Sequence, residues 1–359
     1  MKRRYFLQNV AAAAAWTVAA GRTTAQTDEG DQPIRIGQIG TKHAHASGQM
    51  ETMRKLSQHY QVVGCVEPDA EHQQRVANLP AYQGITWLTE QQLVSTPGLA
   101  AVAVETEVRD LVPTAQRCID AGLHVHVDKP AGESLAALRR LHESAAANQR
   151  MIQMGYMFRY NPAFRFLFQA VQQGWLGTIF EVHGVISKAT PSSDRSSLAR
   201  YGGGSMFELG CHLIDPLVYI LGKPDRVTSF VRKMHPDQDS LADNMLAVLE
   251  YPKATATVRS SLVEVDGGQR RQLIVCGEEG TIEIRPLEPP QIRLTLAKER
   301  GVFRQGAQTV DLPPTPGRYE GAFLDMAQVI RGKKRPDFTH EHDLNVHETL
   351  LRACDLPLE

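Results

Sequence analysis

Between residues 33 and 156, short apolar β-branched runs alternate with longer stretches of helical character. That alternation is the tightest constraint on what this chain can fold into. The runs are Ile34–Ile39, Val62–Val66, Ala100–Val104, His124–Val127 and Met151–Met154. The helical stretches between them include Ala44–Ser57, Arg109–Ala121 and Ser134–Asn148. Such alternation predicts βαβ units, hence a parallel sheet whose ligand site lies at the carboxyl ends of its strands. After Tyr156 the pattern changes. A helix is expected over Pro162–Gln173 and a strand over Gly177–Ser187, followed by a helix over residues 205–222. Then come five strand-like runs: Arg226–Arg232, Asn244–Tyr251, Thr255–Val263, Gln272–Cys276 and Gly280–Arg285. Consecutive strands predict a largely antiparallel open sheet, so an α/β Rossmann-like first domain (33–156) precedes an α+β second domain (157–340). The proline-rich stretch 286–317 reads as loop or edge strand. Helices are expected near 319–332 and 340–355, with residues 341–359 closing the chain.

The first 26 residues read as a targeting segment. Arg3-Arg4-Tyr5-Phe6-Leu7-Gln8 has the form of a twin-arginine export motif. An apolar run, Val10–Ala20, and a small-residue stretch, Thr23-Thr24-Ala25, follow it. The run is too short to span a bilayer, so the expectation is an exported, periplasmic protein without stable membrane insertion. Five cysteines, Cys65, Cys118, Cys211, Cys276 and Cys354, form no CxxC and lie mostly in apolar runs. They read as small core residues, which fits folding in a reducing cytosol before export. A net charge of −1 without long basic runs argues against nucleic acid as a partner.

Three segments carry the chemistry. Gly37-Gln38-Ile39-Gly40-Thr41-Lys42-His43-Ala44-His45 stands where a dinucleotide-binding GxGxxG belongs. Gly40 serves as the tight-turn glycine, but Lys42 and His45 occupy the other two glycine positions. A helix N-terminus there still offers N–H donors, and Lys42 adds a charge for phosphate. Glu67 ends the second strand, 27 residues after Gly40. A carboxylate at that place binds ribose hydroxyls and favours NAD over NADP. His43-Ala44-His45 is not expected to bind metal, since alternating histidines on a helix point in different directions. Lys129, in Leu123-His124-Val125-His126-Val127-Asp128-Lys129-Pro130, ends a central strand and is aimed into the cleft. Finally, the glycine-rich run 202–204 leads into a helix on which Glu208, His212 and Asp215 stand at i, i+4 and i+7, on one face. A carboxylate and an imidazole so placed suit acid–base chemistry on a hydroxyl or carbonyl.

In this order, these segments resemble the Gfo/Idh/MocA family, the group of glucose–fructose oxidoreductase and inositol dehydrogenase. Asp128-Lys129-Pro130 is similar to that family's Glu-Lys-Pro, and Gly155–Pro162 to its domain-crossing segment. Gly202–Asp215 is similar to its glycine loop and DxGxHxxD helix, and Asp343–Leu351 to its closing helix. The resemblance implies a nicotinamide cofactor, NAD rather than NADP, against Gly40, Thr41, Lys42, His43, Glu67, Glu105 and Lys129. It implies Lys129 as donor to the reacting oxygen and His212 as general acid/base. Glu208 stands for the family's aspartate and would orient His212 or bind a neighbouring hydroxyl. Arg159 and Tyr156 would contact the substrate, and Asp215 would bind substrate or hold the helix.

The function so implied is an NAD(P)-dependent oxidoreductase acting on a sugar or sugar derivative. Its cofactor would be tightly bound and recycled, because an exported enzyme meets little free NAD. A homo-oligomer and the twin-arginine machinery are the expected partners. One alternative is a redox-neutral NAD-dependent glycosidase or lyase working through a transient keto-sugar. Another is a non-catalytic sugar-binding protein on a decayed dehydrogenase scaffold, against which intact Lys129 and His212 argue.

Overall fold

A computed structural model describes residues 32–314 and 317–358. The twin-arginine expectation on residues 3–8 lies outside the described residues. Five strands, β1 (Ile34–Ile39), β2 (Tyr60–Val66), β3 (Leu99–Val104), β4 (His124–Val127) and β5 (Ile152–Met154), form a parallel sheet in the order β2-β1-β3-β4-β5. Their apolar runs are continuous because helices cover both faces: Ile36, Ala101, Val102, Val104, Val125 and Val127 are wholly buried. The strand order reverses at β1, which pairs with both β2 and β3. Their carboxyl ends therefore diverge and leave a crevice.

Helix Ala46–Lys55 starts two residues later than the sequence suggested, because residues 41–45 form a turn. Helices Val108–Asp120 and Leu135–Ala147 stand as expected. Two short helices, Ala70–Val76 and Glu90–Val94, were not anticipated; the second is held by a capping box between Thr89 and Gln92.

The second sheet has eight strands: β6 (Ile179–Ser187), β7 (Arg226–Arg232), β8 (Asn244–Glu250), β9 (Thr255–Ser261), β10 (Gln272–Gly277), β11 (Gly280–Ile284), β12 (Ile292–Leu296) and β13 (Gly306–Val310). Their order is β13-β12-β11-β10-β6-β9-β8-β7, antiparallel except for the parallel pair β6–β9. Alternation marks a one-sided sheet: Met245, Ala247 and Leu249 of β8 are buried while their neighbours are partly open. Helices Pro162–Gln172 and Cys211–Leu221 and the closing helix His340–Ala353 belong to the same apolar core as that sheet. The stretch 286–317 supplies β12 and the edge strand β13.

Helix Glu320–Ile330 departs from the expected domain division. It falls within the segment assigned to the second domain, yet Phe323, Met326 and Ala327 share a core with Ile34, Ile36, Met50 and Met53 of the first. The Tyr60 hydroxyl donates to the Phe323 carbonyl at 2.6 Å. The chain thus returns to cover the sheet it began with. All five cysteines are unpaired, four of them buried. Among the described residues, no helix is long and apolar enough to cross a membrane.

Candidate active site

The crevice at the ends of β1, β2 and β3 is a cleft of about 680 Å³, lined among others by Gly40, Lys42, Glu67, Thr106, Glu107 and Arg117. Gly40 has φ +89°, and a Cβ there would lie 2.6 Å from the Thr106 backbone, so only glycine fits. Its N–H donates to the Val66 carbonyl at 2.8 Å. Glu67 is fixed beside it. One carboxylate oxygen accepts from the Thr41 N–H at 3.0 Å and the Thr41 hydroxyl at 2.6 Å, and the other from the Asp69 N–H at 3.0 Å. A bare-backbone turn facing a fixed carboxylate across an open cleft fits the ribose and phosphates of a dinucleotide. Lys42 reaches the cleft rim, where its ammonium pairs with Asp69 at 2.8 Å. Thr41, His43, Glu105 and Lys129, also expected on the cofactor wall, do not line this cleft. Glu105 is fully buried behind it, and neither of its carboxylate oxygens has a partner. Burial and the adjacent Asp128 carboxylate push Glu105 well above the usual carboxylate range.

Lys129, at the end of β4, is 1% exposed, and its ammonium donates to the Glu208 main-chain carbonyl at 2.8 Å. The Glu208 carboxylate lies 3.6 Å from Lys129 and 3.3 Å from Lys188. Burial works to discharge Lys129, but Glu208, with Cys211 and Asp128, holds it above its ordinary value. Burial likewise opposes charge on Glu208, and the two lysines outweigh it, so its carboxyl titrates below the usual range. The result is a buried ammonium that stays charged.

His212 lies in the first turn of Cys211–Leu221, 2% exposed, its ring 6.3 Å from that of His45 and 5.9 Å from that of Phe158. Burial, with the charge of Lys129 second, drives its pKa well below the ordinary value, so the imidazole is neutral near pH 7. Its Nδ1 is buried without a partner. Glu208 therefore does not orient His212, the first of its two expected roles; it anchors Lys129. The reason is local. Residues 206–210 form a π-helical turn, wider than an α-turn, and from it the Glu208 carboxylate turns to Lys129 and Lys188. The glycines before it serve packing: a Cβ on Gly204, at φ +53°, would run into the Ala242 carbonyl oxygen.

Asp215, Arg159 and Tyr156 are engaged with one another. Asp215 accepts from Arg159 Nε at 3.0 Å and Nη2 at 2.7 Å, and its Oδ1 lies 3.0 Å from His342 Nε2. Arg159 also donates to Asp343 at 2.6 Å and stacks 4.9 Å from the Tyr156 ring centroid and 4.3 Å from that of Phe338. All three expected residues are at most 3% exposed. They bind one another and join the domain-crossing segment, the His212 helix and the closing helix.

The structure also assembles a cluster of which the sequence reading placed only His43 in the site. Asp128 is fully buried, with Oδ2 at 3.1 Å from His43 Nδ1 and 3.0 Å from His45 Nδ1. The expectation that these histidines point apart assumed a helix; in the turn at 41–45 both rings face one carboxylate. Lys188 and Tyr319, whose ring lies 5.7 Å from that of His45, complete the surroundings. The His-Ala-His spacing was the only local signal for this cluster.

Comparison with known proteins agrees with this architecture. Residues 34–156 match the oxidoreductase family with an NAD-binding Rossmann fold named GFO_IDH_MocA, and residues 164–283 match the GFO/IDH/MocA C-terminal domain. The chain is 25% identical over 206 residues to YdgJ, an uncharacterised oxidoreductase of Escherichia coli K12, covering 57% of this chain and 59% of that one. It thus spans about three fifths of that relative's length. An inositol 2-dehydrogenase/D-chiro-inositol 3-dehydrogenase of Shouchella clausii is 25% identical over 277 residues, 75% of this chain and 76% of its own. The solved structure of aldose-aldose oxidoreductase from Caulobacter crescentus, complexed with glycerol, superposes with a TM-score of 0.75 at 19% identity. It covers 90% of this chain and 98% of that one, and speaks for the fold alone.

Proposed function

Because the chain belongs to the Gfo/Idh/MocA oxidoreductases, an NAD(P)-binding family, we propose that it oxidises and reduces a sugar or polyol carbon between Lys129 and His212, with tightly held NAD recycled on the protein. The observation that carries this reading is the pairing of a buried, charged Lys129 with a buried, neutral His212. Gly40 and Glu67 would hold the dinucleotide, with Thr41 fixing the Glu67 carboxylate, and that carboxylate would repel a 2′-phosphate, which supports NAD over NADP. The nicotinamide, when bound, supplies the hydride chemistry.

The protein's own residues handle the proton and the charge. An ammonium has three donors. One N–H of Lys129 goes to the Glu208 carbonyl, leaving donors for a substrate oxygen. His212, unprotonated, takes the hydroxyl proton during oxidation and returns it during reduction. The burial that keeps His212 neutral also weakens it as a base. Donation from Lys129 to the same oxygen offsets that weakness by stabilising developing negative charge. Export by the twin-arginine route and assembly as a homo-oligomer belong to the same reading, the first supported by Arg3 and Arg4.

The test is turnover of full-length Lys129→Ala and His212→Ala on a panel of sugars and polyols, with nucleotide content measured after denaturation. Each substitution is expected to lower turnover by about 10²-fold or more while bound nucleotide is retained. Near-normal turnover in either variant removes that residue from the mechanism. Aglycone release from a glycoside without net oxidation would replace this reading by the redox-neutral one.

A further inference from the structure

The hydrogen-bonding pattern around His43 is not satisfied by a neutral ring alone. His43 Nε2 lies 3.0 Å from the Lys129 carbonyl oxygen, which can only accept, so Nε2 carries the proton. His43 Nδ1 receives the His45 N–H at 3.3 Å, so it presents its lone pair, and a metal there would replace this long contact. That same Nδ1 sits 3.1 Å from Asp128 Oδ2, lone pair against carboxylate. Two acceptors at this distance repel unless a cation, a proton or a metal ion, lies between them.

The surroundings match a place for one. His45 Nδ1 converges on the same Oδ2 at 3.0 Å. Asp128 Oδ1 is held by the Lys129 N–H at 2.6 Å and lies 3.1 Å from His45 Nδ1, which fixes the carboxylate with Oδ2 shared by the two rings. One donor atom from each of His43, His45 and Asp128 lies within 4.8 Å of the others. Ligands on a tetrahedral zinc at about 2.0–2.1 Å are spaced about 3.4 Å apart, and the two nitrogen–oxygen pairs, at 3.1 and 3.0 Å, lie within a few tenths of an ångström of that spacing. His43 donating its far nitrogen to a main-chain carbonyl is the usual outer support of a metal-ligating imidazole. Behind His43, the fully buried Glu105 places a carboxylate oxygen 3.8 Å from Nδ1, and neither of its oxygens has a partner. Water reaches this cluster from the imidazole side: the His45 and His43 side chains are 15% and 6% exposed, those of Asp128 and Glu105 not at all.

We propose that His43, His45 and Asp128 bind a divalent transition-metal ion of the zinc class, with one coordination position left open toward the substrate side of Lys129. Two imidazoles and a carboxylate suit Zn²⁺, and three protein ligands with an open position are the arrangement of catalytic rather than structural zinc. The site adds a Lewis acid to the wall that carries Lys129. It is independent of the sugar reading, since the ligands are argued from their own geometry.

The experiment uses the full chain, stripped with a chelator and titrated with Zn²⁺ alone and with Co²⁺ alone, beside His43→Ala and His45→Ala. His45 lies in a partly open turn, and a thermal melt of His45→Ala establishes that it folds. The expected result is one metal per chain, Co²⁺ giving the intense visible bands of a tetrahedral site. Each variant should weaken binding about tenfold or more. Absence of stoichiometric binding overturns the proposal, as does equal binding by the His43→Ala/His45→Ala double variant. NAD(H) binding, read on the same samples, tests the oxidoreductase reading separately.

Discussion

Asp215→Ala decides between the two roles open to the aspartate that follows His212 by three residues. In the structure its carboxylate receives Arg159 Nε at 3.0 and 3.2 Å and Arg159 Nη2 at 2.7 Å, with His342 Nε2 at 3.0 Å. Removing it leaves a guanidinium 2% exposed with Asp343 as its remaining anion, at 2.6 Å. Deleting one partner of a buried ion pair costs about 3–5 kcal/mol. The surviving Asp343 contact puts this case at the lower end, about 3 kcal/mol. At about 2–4 °C per kcal/mol for a chain of this size, the melting temperature should fall by about 6–12 °C. The sign with pH follows from the carboxyl. Burial opposes its charge, but Arg159 and His342 hold its pKa below the ordinary 3.8. A depressed folded-state pKa contributes stability that is complete above 3.8 and lost as pH falls through the folded value. The wild-type and variant melting curves should therefore converge at low pH. Calorimetric melting from pH 7 downward, with KM measured on folded enzyme at pH 7, checks this. An unchanged melting temperature with KM raised tenfold or more would refute the structural role and return Asp215 to the substrate.

Gly40→Ala should cut NAD(P) affinity by about tenfold or more, as read by calorimetric titration. Its Cβ meets the Thr106 backbone at 2.6 Å in a φ region that L-residues avoid. Glu208→Gln removes the charge that does most to hold Lys129 protonated against burial. Activity that requires the ammonium is present below the Lys129 pKa and lost above it, so the alkaline limb of the pH–rate profile should move to lower pH. Phe323→Ala should destabilise by about 3–5 kcal/mol through the cavity left against Ile36 and Met50, seen as a lower denaturation midpoint.

Much of the fold was legible because its signals are local. β1 and β4 coincide with their apolar runs, and the strands of the second sheet reveal themselves by alternation. Helix Ala70–Val76 was not legible, since Val76 is its one buried residue and no periodic stripe exists to find. Helix Glu320–Ile330 was visible as a helix but not as part of the first domain; that follows from contacts made across most of the chain, such as Tyr60 to Phe323. In the site, Lys129 was legible from its place at a strand end. The partner of Glu208 was not, because a π-helical turn leaves no mark in residue spacing. Nor was the convergence of His43 and His45 on Asp128, which depends on a turn where the pattern suggested helix.

That turn explains how the chain keeps a nucleotide cleft with one glycine of the fingerprint. The three glycines answer separate steric demands: a tight turn, close approach of the backbone to phosphate, and close packing of helix on sheet. Gly40 meets the first without substitute. At the second position the Lys42 side chain leaves the backbone and turns to Asp69, at 2.8 Å, so its bulk lies at the rim. The third demand has moved along the chain. His45 stands outside the helix as its N-cap, the helix opens on Ala46, 1% exposed, and the close approach falls at Gly48, where a Cβ would lie 2.7 Å from the ring of Tyr319, the N-cap of helix Glu320–Ile330. Freed from the helix face, His45 turns to Asp128. The residues that break the motif are thus those whose side chains have partners elsewhere, and the cleft survives because the steric demands are met by different residues.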